Sequence, residues 1–147
     1  MIRTGTNWPM GASPSTFTMR IIDPHVHVWK SDPRYPWAKE TTNPPAQDAL
    51  PEKLLELMRA NGVAHTVIIQ DIGYRWDNSY ARDAIRQYKG KFLGVARVNP
   101  ESPAAPDDLS RLVEYEGWRG VRISPAANAS GDWIRGAVMP PLWRRTQ

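Results

Sequence analysis

Apolar residues along the chain fall into two alternating kinds of segment. Extended apolar segments over Arg20 to about Asp23, Val63 to Gln70 and Phe92 to Val98 read as strands, and the continuous β-branched run Val67-Ile68-Ile69 is of the kind that a parallel sheet covered on both faces requires. Between them lie helical stripes: Leu54, Leu55, Leu57 and Met58 within 51–60, a helix over about 79–88, and Leu109, Leu112 and Val113 within about 107–116. Punctuation agrees with this reading. Pro51 suits a first helical turn, Asp77 or Asn78 an N-cap, and Asn61-Gly62, Gly90 and Gly117 helix stops. A fourth extended segment, Trp118 to Ser124, is followed by a loop rich in Ala, Asn, Ser and Gly, and a new helix starts at Met139. Helix-plus-strand units recurring every ~25–30 residues imply right-handed βαβ crossovers and an α/β fold of about four parallel strands. Residues 1–18 carry no periodicity and read as a flexible leader, so the domain spans 19–147.

Composition narrows the function classes. Hydrophobic residues make up 41% and charged residues 23% of the 147, the balance of an ordinary globular domain. The formal charge is +4, yet the basic residues are scattered among acids with only Arg144-Arg145 adjacent near the end, which argues against a nucleic-acid footprint. No window reaches the ~18–20 apolar residues of a membrane span, and the first 18 lack the apolar core of a signal peptide, so a cytoplasmic location is expected. With no cysteine, any metal must be held by imidazole, carboxylate or water.

The chemistry concentrates in Asp23-Pro24-His25-Val26-His27. Alternate side chains of an extended segment share a face, so His25 and His27 point at the same spot and form a candidate pair of metal ligands. Two imidazoles are an incomplete shell, because a catalytic divalent ion usually takes three protein ligands and an open position.

This motif, directly after a β-like Met19-Arg20-Ile21-Ile22, resembles the first strand of the amidohydrolase superfamily, and more closely its amidohydrolase-related branch of lactonases and decarboxylases. The aromatic Pro36-Trp37 loop, Asp77-Asn78 before the second helix, and Trp118-Arg119-Gly120-Val121-Arg122 match that branch in order and spacing. The resemblance implies a (β/α)₈ barrel with its site at the C-terminal strand ends. On that basis His25 and His27 are expected to bind a divalent metal, Zn or Mn, although some relatives keep the histidines and work without one. Gln70, Arg97 and Arg122, at the ends of the second, third and fourth strands, are expected to bind substrate, Arg122 by matching the arginine that the branch carries toward its pocket. His65 begins its strand, the wrong end for barrel chemistry, and reads as structural.

A full barrel needs roughly 250 residues, so this chain is expected to be half of a (β/α)₈ TIM barrel. The later histidines and the aspartate that the resemblance implies have no counterpart here, and no catalytic base is identified. The expected activity is hydrolysis of a small carbonyl or lactone substrate by metal-activated water, incomplete in this chain. The alternative is a non-catalytic truncated fragment that self-associates through open sheet edges or pairs with a separately encoded second half.

Overall fold

A computed structural model describes residues 20–124, 133–137 and 139–147; the leader expected over 1–18 and most of the loop after Ser124 lie outside the described residues. Four strands alternate with four α-helices: β1 (Ile21–Val26), α1 (Pro51–Ala60), β2 (Val63–Ile69), α2 (Ser79–Gln87), β3 (Phe92–Ala96), α3 (Ala105–Glu116), β4 (Gly120–Val121) and α4 (Met139–Arg145). All neighbouring strands pair in parallel, in the order β1-β2-β3-β4. This is half of an eight-stranded α/β ring.

The core lies on one face of the sheet. Phe92 and Ala96 alternate with half-buried or exposed residues along β3, and Ile68, Phe92 and Ala96 meet Met58, Ala81, Ala84, Leu109 and Leu112 from three helices. Met139 and Leu142 of α4 are buried in the same cluster. On the other face Leu93 is 48% exposed and Ile22 55%. The apolar runs thus have the composition of strands covered on both sides, but among the described residues only one side is covered.

Local chemistry accounts for the element ends. Pro51 opens α1, and α3 begins at Ala105, ahead of the expected Asp107, because Pro106 fits the first turn where its missing N–H costs nothing. Gly117 ends α3 with φ 83°, a left-handed value that glycine adopts freely, and its N–H bonds the Leu112 carbonyl. Two stripes are narrower than expected: Leu57 is 52% and Val113 37% exposed, because each falls at the margin of the ~100° arc that faces the sheet.

Pro24 interrupts the ladder without ending β1. Between Asp23 and Val26 the register shifts against β2, where Thr66 and Ile68 are the partners, so an extra residue is accommodated as a bulge. An edge strand tolerates the missing N–H. The strand therefore runs three residues beyond the expected end at Asp23 and carries His25 within it.

The connection from Trp29 to Ala49 is tied down at many points. Trp29 and Ala49 exchange backbone hydrogen bonds of 3.1 and 2.9 Å, Trp37 stacks on Tyr74 with centroids 4.4 Å apart, and the Tyr74 hydroxyl bonds both backbone groups of Lys30 at 2.8 Å. Tyr35 donates to Asp83 on α2. The loop is a fixed wall beside the C-terminal rim of the sheet.

Candidate functional site

His25 and His27 converge as the alternation of an extended segment requires. Their Nε2 atoms lie 3.3 Å apart, with rings nearly perpendicular at 77°. The second ring is oriented by β2: His27 Nδ1 is 2.8 Å from the Ile69 carbonyl oxygen, which only accepts, so Nδ1 carries the proton and Nε2 keeps its lone pair. His25 Nε2 lies 2.9 Å from Nη1 of Arg122, which only donates, so this nitrogen also presents a lone pair. Neither Nε2 thus carries a proton, and the His25 lone pair is engaged by Arg122. Such a pair suits a cation, and the separation matches the roughly 3.3–3.4 Å spanned by two nitrogens 2.0–2.1 Å from a tetrahedral ion. Asp71 stands behind, its Oδ2 3.9 Å from His27 Nδ1, while its Oδ1 caps the Gly73 N–H at 2.7 Å. Among the described residues no group of three or more His, Asp or Glu side chains is placed to hold a metal ion.

Arg122 reaches this pair from the far side of the sheet. In a flat sheet β1 and β4 would be three strand spacings apart, about 14 Å, which the two side chains would bridge only if both were fully extended along the sheet. Contact at 2.9 Å fits a sheet that curls inward and brings both strand ends to a common mouth.

Gln70 and Arg97 lie behind that mouth. Gln70 is 1% exposed and its amide donates to the Asp77 carbonyl at 2.5 Å. Arg97 is 3% exposed; its Nε donates to the Gln70 carbonyl at 2.9 Å and its Nη1 to Ser124 Oγ at 3.0 Å. Burial, with the charge of Arg122 nearby, pulls the Arg97 guanidinium below its ordinary pKa. The structure therefore brings His25, His27 and Arg122 into contact and sets Gln70 and Arg97 in the layer beneath them. His65 sits at the opposite end of β2, its Nδ1 3.1 Å from the Gly90 carbonyl, in a cleft of ≈ 600 Å³ shared with Phe92, Leu93 and Arg119.

One residue does more than its sequence position suggests. Asn78 occupies the N-cap position of α2 but makes no capping bond; its amide donates to the carbonyls of Trp76 and Arg97, and its Oδ1 accepts from the Arg97 N–H at 2.9 Å. It clamps the loop after β2 to the end of β3. Helix capping was the available local reading, and the partner nineteen residues away leaves no periodic signal.

Comparisons with known proteins bear on the family and the fold. A family model described as "Amidohydrolase" matches residues 22–147. The L-fucono-1,5-lactonase of Burkholderia ambifaria is 30% identical over 122 residues, which are 82% of this chain and 42% of that protein. Among solved structures, a probable 2-pyrone-4,6-dicarboxylic acid hydrolase from Acinetobacter baumannii, with citric acid bound, superposes with a TM-score of 0.71 at 21% identity, over 87% of this chain and 46% of that one. An amidohydrolase from Burkholderia multivorans with bound zinc gives a TM-score of 0.60 at 22% identity, over 82% and 43%. The chain thus spans less than half the length of each of these proteins. Among the described residues no helix is long and apolar enough to cross a membrane.

Proposed function

Because this chain belongs to the amidohydrolase family, we propose that it forms one wall of a metal-dependent site that hydrolyses a lactone or a related small carbonyl substrate. The observation that carries this reading is the pair of unprotonated Nε2 atoms 3.3 Å apart on His25 and His27. These two imidazoles would hold a zinc or manganese ion, with further ligands coming from strands outside the described sheet. Such an ion supplies Lewis acidity toward the carbonyl and makes water nucleophilic near neutral pH. The relatives support the substrate class, two being named for action on a lactone or a pyrone acid.

The chain's own residues have separable parts. The Ile69 carbonyl fixes the tautomer of His27 and thereby aims Nε2. With the His25 lone pair committed to a cation, the Arg122 guanidinium would be free to hold an acidic group or the lactone oxygens of the substrate. Arg97 and Gln70 complete the substrate wall from beneath, holding the ends of β2, β3 and the Ser124 segment in register around Arg122.

The test is hydrolysis of 1,5-sugar lactones and pyrone acids by metal-loaded protein, followed through proton release. Arg122→Gln is expected to raise KM for an acidic lactone about 10-fold, the scale of one charged hydrogen bond, with a smaller change in kcat. Absence of metal uptake together with absence of lactone turnover counts against the reading.

A second reading has its own support: the exposed Ile22 and Leu93 on the open face, with β1 and β4 edges that are unpaired among the described residues, suit association with another copy or a separately encoded half. Size-exclusion chromatography with light scattering separates the two. A monomer at every concentration contradicts self-association.

A further inference from the structure

Among the described residues Arg75 is the one non-glycine residue with a positive φ. Its φ of 53° and ψ of −111° belong to the first central position of a type II′ turn, where glycine is the default and a Cβ is strained. The turn itself does not ask for arginine: its closing bond runs from the Asp77 N–H to the Tyr74 carbonyl at 3.0 Å, and glycine at position 75 would leave that bond in place. What the strain retains is the side chain, and strained residues gather at ligand sites because the strain serves placement there.

The side chain is only 25% exposed, with its guanidinium 6.0 Å from the Trp76 ring centre. Its acidic neighbour is loosely held: Nε lies 3.8 Å from an oxygen of Glu40, which is 61% exposed, so the pair exchanges readily. The loop bearing Arg75 runs from Asp71, beside His27, to Asn78, clamped on the Arg97 backbone. Its charge is felt at Arg97 together with that of Arg122, with Asp71 as the nearby acid. Arg75, Arg97 and Arg122 thus stand close enough to repel one another, with Asp71 as the acid among them.

We infer that Arg75 is a specificity-determining residue of this site: its guanidinium leaves Glu40 to hold a second anionic group of the ligand, away from the group held by Arg122, so that multiply charged acids are selected over singly charged ones. This rests on the anion-binding reading of Arg122.

The experiment titrates the full chain calorimetrically with acetate and with tricarballylate, for the parent, Arg75→Gly, Arg75→Lys and Arg122→Gln. Arg75→Gly is expected to raise Tm, because the turn is relaxed, while weakening tricarballylate about 10-fold and leaving acetate unchanged. Arg75→Lys recovers part of the loss. If Arg75→Gly raises Tm but leaves tricarballylate unchanged while Arg122→Gln weakens both acids, the role of Arg75 is overturned and the reading of Arg122 stands. If Arg122→Gln also changes nothing, or the parent binds neither acid, both fall. Equal weakening of acetate and tricarballylate by Arg75→Gly, or a lowered Tm, marks a structural residue and overturns the selectivity.

Discussion

His25→Ala and His27→Ala each lose zinc by at least ~100-fold in affinity, more than the ~10–100-fold that outer-shell partners of a metal ligand are worth. Each change removes one of two nitrogens 3.3 Å apart, leaving a single imidazole of the pair. The two variants are expected to differ in stability. His25 is exposed, so its removal costs the fold little, whereas loss of His27 also strips the Ile69 carbonyl of its partner at 2.8 Å. His65→Ala, at the other end of β2, is the control and keeps the parent's metal content. Equilibrium dialysis against zinc with elemental analysis reads all three. Parent-level zinc in His25→Ala and His27→Ala would remove the metal site.

Trp118→Ala is expected to cost about 3–5 kcal/mol, read as a lower urea midpoint at unchanged slope. Trp118 is 1% exposed and stands where α3 gives way to β4, its N–H bonded to the Leu112 carbonyl and the next N–H, of Arg119, to Gly94. The packing is close enough to dictate the residue opposite. A Cβ on Gly94 would come within 2.6 Å of the Trp118 ring and 2.5 Å of Ile85 Cδ1, so β3 has glycine where the indole lies against it. Truncating the indole opens a cavity of nearly its own size, since the sheet and α3 hold the walls apart. Trp118→Phe should cost less, because it keeps most of the ring and removes an indole N–H that is buried without a hydrogen-bond partner among the described residues. The effect extends to the site, since β4 is two residues long and Trp118 anchors its start while Arg122 leaves its end. A loss below about 1 kcal/mol would mean that the core repacks freely around this position.

Much of the fold is legible in the sequence because its signals are local. Helix α1 runs from Pro51 to Ala60, as its proline, apolar spacing and Asn61-Gly62 stop dictate, and β2 and β3 begin at Val63 and Phe92, where the extended apolar segments begin. The convergence of His25 and His27 is likewise a property of three residues of extended chain. Predictions from position along a strand carried less. Gln70 and Arg97 stand at strand ends, yet their side chains are buried on the Asp77, Gln70 and Ser124 groups, partners that strand periodicity does not specify.

The sequence alone therefore determined the order of strands and helices, the absence of thiolate chemistry and the paired imidazoles, each of which depends on backbone geometry and near neighbours. Only the tertiary structure decided that the sheet curls far enough for Arg122 to touch His25 across ninety-seven residues, that Asn78 serves β3 more than its own helix, and that Arg75 is kept in a glycine's conformation. These depend on how far elements bend and which distant groups then meet. The packing of Trp118, Gly94 and the helices sets that distance, and no repeat in the chain encodes it.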